Sequence, residues 1–155
     1  MFEKLKRLFT AAPRPVRTRR QDPTLGLLTW DPDGGTWESW NDHDGLGFSF
    51  SLGGSEEPSE SLVRHAVEIV NNKVEFIESI HRLLAESARA VDPSGKEERW
   101  NAYREEVTGL RISVVSLRDS LRPRVGMIFF EGGQDYRLWR CDYIDGVPRN
   151  LGCDT

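Results

Sequence analysis

The residues with the chemistry for metal binding are three histidines, two cysteines and several acid-rich turns. Asp42 and Asp44 are spaced as in a calcium-binding loop, but Trp40 and Ser51 stand where that loop requires an acid and a glutamate. The histidines are widely separated, and neither cysteine has a Cys or His close by, so the spacing of a zinc site is missing. The sequence therefore predicts no metal site.

Catalytic motifs are also missing from the sequence. There is no Gly-x-Ser-x-Gly turn, and no glycine pair is followed by the Lys-Ser/Thr of a phosphate-binding loop. Cys141 alternates with Trp139 and Tyr143, which predicts a core position on a strand. His65 and His81 fall on a long helical pattern, where we expect partly buried, hydrogen-bonded side chains. The sequence predicts no catalytic residue and no cofactor.

A group of tryptophans and acids is the strongest surface signal. Trp30, Trp37 and Trp40 are interleaved with acids that include Asp42 and Asp44. Trp37 and Trp40 have opposite parity on a strand, so both cannot be buried on one face. Aromatic anchors beside charge are typical of binding hot spots, and we therefore take these five residues as candidate partner-binding residues. The alternative is a second small core on the far face of the sheet.

Charge divides the chain into two parts. Residues 1–20 hold seven Lys or Arg and one Glu, which leaves a net charge of −10 for the remainder. Duplex DNA is bound through neutralised phosphates, so the acidic body is unsuited to it and suits a basic protein partner instead. The expectation is that residues 1–21 are a basic amphipathic tail and a Pro/Arg linker, and that 22–155 form a single domain. The tail could make weak contact with a membrane or RNA.

Two sequence features predict a cytoplasmic location. No apolar run is long enough to cross a membrane, and no secretory signal is recognisable. With only two cysteines, we expect free thiols in a reducing compartment. If Asp145 and Gly146 form a two-residue hairpin turn, Cys141 faces Asn150 and Cys153 faces Leu138, too far apart for a disulfide.

Hydrophobic periodicity predicts an α+β fold. We expect an antiparallel sheet built from a three-strand meander, a long and a short helix packed on one face, and three to four further strands. The predicted elements are strands Leu25–Trp30, Thr36–Trp40 and Leu46–Leu52, a helix from Pro58 to Ala90 that bends near Asn71, a helix Lys96–Glu106, and strands Leu110–Leu117, Arg124–Glu131, Tyr136–Ile144 and Val147–Cys153. The predicted core consists of Leu46, Phe48, Phe50, Ile112, Val114, Phe129 and Trp139, packed against Val67, Val70, Val74 and Ile77.

The opening D-P-T-L-G-L-L-T-W and the closing aromatic strands with a D-G turn carry a resemblance. From about Asp22 to Asp154 the chain resembles bacterial domains of unknown function that open with D-P-x-L-G-x-L-x-aromatic. The resemblance implies structural roles and no catalytic residue; the residues that carry it are Asp22, Pro23, Leu25, Gly26, Trp139, Asp145 and Gly146. In size and style these domains are similar to immunity and interaction proteins of bacterial conflict systems.

The sequence therefore favours a non-catalytic protein-binding module, of immunity or inhibitor type, for a basic partner. The alternatives are an enzyme or small-ligand-binding domain with a dispersed site, and peripheral membrane attachment through the N-terminal tail.

Overall fold

A computed structural model of the protein describes residues 18–39, 47–90, 97–134 and 137–154. These residues form eight strands and three helices, and the strands make one sheet in the order of the chain. The elements are β1 Arg19–Asp22, β2 Gly26–Asp31, β3 Thr36–Ser39, β4 Ser49–Leu52, α1 Glu60–Asn71, α2 Lys73–Arg89, α3 Glu97–Gly109, β5 Arg111–Leu117, β6 Val125–Glu131, β7 Leu138–Ile144 and β8 Val147–Asp154.

The predicted sheet was wrong in strand number and in strand direction. The sheet has eight strands and is mixed, because β4 pairs in parallel with β5 while all other neighbours are antiparallel. The three helices form the crossover that a parallel pair requires. β1 was missed because Arg19 and Arg20 were assigned to the linker. The predicted boundary before Asp22 therefore falls inside a strand, where Arg20 forms ion pairs with Glu57 and Glu60.

Several of the residues that carry the resemblance lie in tight turns, which their side chains or backbone angles stabilise. The Asp22 carboxylate accepts hydrogen bonds from the backbone N–H groups of Thr24 and Leu25, at 2.9 and 2.8 Å. These bonds hold the turn between β1 and β2. Asp145 and Gly146 both have positive φ, at 54° and 83°, as a two-residue hairpin turn requires. The structural roles expected for Asp22, Asp145 and Gly146 are confirmed.

One face of the sheet packs against the helices to form the core. The largest fully buried side chains of the sheet are Trp37, Trp139, Tyr143, Phe50, Leu28, Leu52, Leu117 and Ile128. On the helices the buried apolar residues include Leu62, Ala66, Ile69, Phe76 and Ile80.

Part of the predicted core was wrong. A β-bulge between Ile112 and Val114 breaks the period of two on β5, so Val114 is only half-buried. Phe129 is half-buried for a different reason: it alternates with Ile128 and Phe130, which take the core face of β6. Leu46 lies outside the described residues.

The long helix divides at Asn72, as the sequence predicted. The helical stripe predicted for the core was nevertheless wrong. Val74 is 69% exposed, and Val67, Val70 and Ile77 are partly buried. The neighbouring stripe, which includes Leu62 and Phe76, lies on the core instead.

Both cysteines are free thiols, as predicted, with Cys141 buried and Cys153 exposed. The β7–β8 register follows the prediction only as far as the pair Asp142–Arg149. It then shifts by one residue, so Cys153 lies opposite Trp139 instead of Leu138. Asn150, at φ 55°, lies in the shifted stretch.

Within the described ranges, no helix is both long enough and apolar enough to span a membrane.

Phe50→Ala should lower the free energy of unfolding by about 3–5 kcal/mol, because Phe50 is 1% exposed in the core. Val114→Ala, on the other face of the sheet, should cost about 1 kcal/mol. Urea denaturation of both variants measures the difference. Equal losses would show that the two faces of the sheet have been assigned wrongly.

Candidate functional site

The predicted tryptophan cluster is only partly a surface feature. Trp37 on β3 is fully buried and pairs directly with Trp30 on β2, with ring centroids 5.7 Å apart. Trp30 is half-buried. Trp40, Asp42 and Asp44 lie outside the described residues. Of the described members, therefore, Trp37 is part of the core and only Trp30 reaches solvent.

A cavity of about 310 Å³ lies where the junction of α1 and α2 approaches the end of β7. We call it the His65 cavity, after the histidine in its wall. Its walls combine the apolar side chains of Ile69 and Phe76 with polar and charged groups from both helices, from β7 and from the chain around β6. Concave sites with a few convergent polar groups are the usual form of ligand sites.

His65 is the centre of a hydrogen-bonded chain in the cavity wall. Its Nδ1 lies 2.9 Å from Glu68 Oε2, and its Nε2 lies 3.0 Å from the Tyr143 hydroxyl. An ionised Glu68 can only accept, which assigns the proton of a neutral imidazole to Nδ1. Nε2 then accepts the proton that the Tyr143 hydroxyl donates. The result is a directed Glu68–His65–Tyr143 chain.

Local structure places each member of this chain. His65 and Glu68 are three residues apart on α1 and therefore neighbours on one helix surface. Tyr143 points to the core because it alternates with buried Cys141 and Trp139 along β7. Its ring stacks on His65 at 5.8 Å and meets the edge of Phe76 at 6.0 Å, which fixes its orientation.

Burial keeps the Tyr143 phenol protonated. Desolvation raises the pKa of Tyr143 to about 12, against the opposing charge of Arg124 and with a smaller contribution from Glu68. Burial likewise raises the pKa of the Cys141 thiol to about 12. At neutral pH both groups are therefore protonated, and neither is an activated nucleophile.

Asn72 and Ser79 line the same cavity. Asn72 separates α1 from α2. Its side-chain amide donates to the Glu68 backbone carbonyl at 2.9 Å, and its backbone carbonyl accepts from the Phe76 N–H at 3.0 Å. The Ser79 hydroxyl donates to the Phe76 carbonyl at 2.6 Å. The two Asn72 bonds link the end of α1 to the start of α2 beside the cavity.

Charged side chains complete the lining. Glu75 is an exposed residue in the first turn of α2, and Arg124 is an exposed residue that precedes β6. The Arg124 guanidinium lies against Gly146, where an added Cβ would be 2.5 Å from Nη2. A side chain at position 146 would therefore displace Arg124 from its place.

A second polar cluster, around Glu106 on α3, is structural. Its carboxylate accepts from Trp139 Nε1 at 2.8 Å, from the Gln134 N–H at 3.1 Å and from Arg137 Nη1 at 2.6 Å. Burial opposes ionisation, but these donors together lower the pKa of Glu106. The cluster fastens α3 to the β6–β7 connection.

The described part of the chain contains no group of three or more His, Cys, Asp or Glu that could hold a metal ion. The hydrogen bonding expected of His65 is confirmed, but its side chain is fully rather than partly buried. The expectation for His81 was wrong, because that side chain is exposed. Sequence reasoning missed the cavity, since His65 and Tyr143 are 78 residues apart. The only local signal was the pair His65 and Glu68 on one helix surface.

Comparison of the chain with family models, with curated proteins and with solved structures gave no match. The resemblance to bacterial domains therefore stays an expectation.

The raised pKa of Tyr143 predicts a stability change at alkaline pH. The contribution of the protonated Tyr143 phenol to the free energy of unfolding is complete below the ordinary phenol pKa of 10. It is lost as pH rises towards about 12, because the phenol ionises more readily in the unfolded state than in the folded state. The loss approaches roughly 1.4 kcal/mol for each unit of pKa shift. Tyr143→Phe should remove this loss from the free energy of unfolding.

Urea denaturation of the wild type and of Tyr143→Phe between pH 9 and 12 measures the effect. Cys141 titrates in both proteins, so the difference between them isolates Tyr143. Parallel pH profiles would contradict the assignment of a buried, neutral phenol.

Proposed function

We propose that this protein is a binding module that recognises a polar group of its partner in the His65 cavity. The observation that carries the proposal is the Glu68–His65–Tyr143 chain, a hydrogen-bonded series in the wall of an open cavity. Polar groups that converge on a cavity, one of them with a strongly shifted pKa, are the usual mark of a functional site.

Binding is favoured over catalysis by the state of the reactive groups. Burial holds the pKa of Tyr143 and of Cys141 at about 12. Both ring nitrogens of His65 are already engaged by protein partners. A fixed wall of this kind reduces the entropy lost on association, which favours recognition.

The proposal predicts that small polar molecules perturb the cavity selectively. A panel of simple amines, carboxylates and polyols is titrated into the isotope-labelled full chain, and amide resonances are followed by NMR. At least one class should shift Asn72, Ser79 and Gly146, which line the cavity. Gly34, in the distant β2–β3 turn, is the internal control and should not move.

Tyr143→Phe should weaken that binding, because it removes the hydroxyl from the cavity wall and leaves His65 Nε2 without its partner. If no class shifts the cavity resonances, or if shifts occur only elsewhere, the proposed function is wrong.

A second candidate is docking of a protein partner on the first meander. Trp30 favours it, because this large side chain is half-buried on Trp37 and neighbours the exposed Asp33 turn. Trp is the residue most enriched at binding hot spots, and acids accelerate association with a basic partner. An immunity or inhibitor role would use such a surface.

The second candidate is tested by comparing the variants Trp30→Ala and Trp37→Ala. Trp37→Ala should cost about 3–5 kcal/mol of stability, whereas Trp30→Ala should keep cooperative unfolding and lose a partner. Affinity capture with the wild type and Trp30→Ala, quantified by mass spectrometry, measures the loss. Identical recoveries would exclude Trp30 from the contact.

A further inference from the structure

Most side-chain protons around the His65 cavity are used inside the protein. With a neutral His65 imidazole, the Tyr143 hydroxyl donates to His65 Nε2. The Ser79 hydroxyl donates to a backbone carbonyl, and Asn72 gives one amide proton to the Glu68 carbonyl. A hydroxyl that has donated its proton offers only lone pairs. The side-chain amide oxygen of Asn72 is also an acceptor. The neutral groups of the wall therefore present mainly acceptors.

The charged groups add to this acceptor surplus. Among the described residues of the lining, Glu68 and Glu75 supply carboxylates and Arg124 supplies a guanidinium. Two carboxylates and one guanidinium leave one net negative charge. One carboxylate oxygen of Glu68 is bonded to His65, and the Glu68 side chain is 52% exposed, so it can accept further hydrogen bonds.

We infer that the group bound in the His65 cavity is an organic cation, an ammonium or a guanidinium. This inference rests on the proposed binding function. Such a group carries three to five N–H donors and no acceptor, which complements the wall, and charge-assisted bonds to carboxylates are the strong ones. Ile69 and Phe76 offer apolar surface for the alkyl stem of such a cation.

Arg124 fixes the orientation of the bound cation. A cationic head is repelled by the guanidinium beside Gly146 and attracted to the carboxylates on the helices. The head therefore lies towards Glu68 and Glu75 and away from the β7–β8 turn. The net charge of −10 beyond residue 20 favours the approach of any cation.

The test uses n-butylammonium, n-butylguanidinium, butanoate and 1-butanol as probes of equal stem length. The two cations should shift the resonances of Asn72, Ser79 and Gly146 in the labelled full chain, whereas butanoate and 1-butanol should not. Glu75→Gln keeps the shape of the side chain and should weaken cation binding about ten-fold.

Glu86→Gln is the matched control. It removes the same charge from the same helix, but Glu86 is exposed, does not line the cavity and lies about 16 Å along the helix from Glu75. It should change the affinity less than about two-fold, as expected of a distant, screened charge. Equal effects of the two variants would show that overall charge attracts the cation, and would overturn the inference.

The outcomes separate this inference from the proposed function. Tighter binding of butanoate or 1-butanol in the cavity would overturn the cation inference and leave the binding function standing. Failure of every probe, the amine, carboxylate and polyol panel included, would overturn both.

The source of the cation is tested with Nα-acetyl-lysine amide and Nα-acetyl-arginine amide. These molecules present a basic side chain without a charged main chain. If they bind as well as the simple cations, the natural occupant is a side chain of a basic protein. If only the simple cations bind, it is a free amine.

Discussion

The parallel pairing of β4 with β5 is the constraint on which the rest of the structure depends. It joins two antiparallel halves, β1–β4 and β5–β8, into one sheet. A parallel neighbour cannot be reached by a hairpin, so the chain between the two strands has to cross over the sheet. The crossover begins at Gly53, whose backbone lies directly against the end of β5. Its N–H donates to the Leu117 carbonyl, and an added Cβ would be 2.5 Å from the Arg118 carbonyl oxygen. The three helices cover the core face as a direct consequence.

The candidate site is a result of the same crossover. It brings α1 close enough to β7 for His65 to contact Tyr143, although these residues belong to different halves of the sheet. The two helices divide at Asn72, which itself lines the His65 cavity beside this contact.

Local patterns in the sequence were sufficient for most elements and for the helix break, because period and turn chemistry are local properties. They could not show which strands pair. The parallel contact between Phe50 and Val115 joins residues in different segments, and nothing in either strand specifies its direction. The bulge near Ser113 reversed the expected face of Val114, since one extra residue shifts a period of two. The cavity was missed for the same reason. Its groups come from α1, α2, β7 and the residue before β6, Arg124, and no single segment contains the pattern.

Two carboxylates on the helices show why one cluster is structural and the other is a candidate recognition site. The Glu106 side chain is 7% exposed and receives bonds from Trp139, Gln134 and Arg137, so most of its acceptor capacity is used within the protein. Within the described residues Glu68, whose side chain is 52% exposed, has one side-chain bond, to His65. The bond that His65 makes to Tyr143 ties α1 to β7, and with a neutral imidazole the same bond takes up the phenol proton. The contact that stabilises the fold therefore also sets the polarity of the site: it leaves acceptors in the wall, which a ligand rich in donors would satisfy.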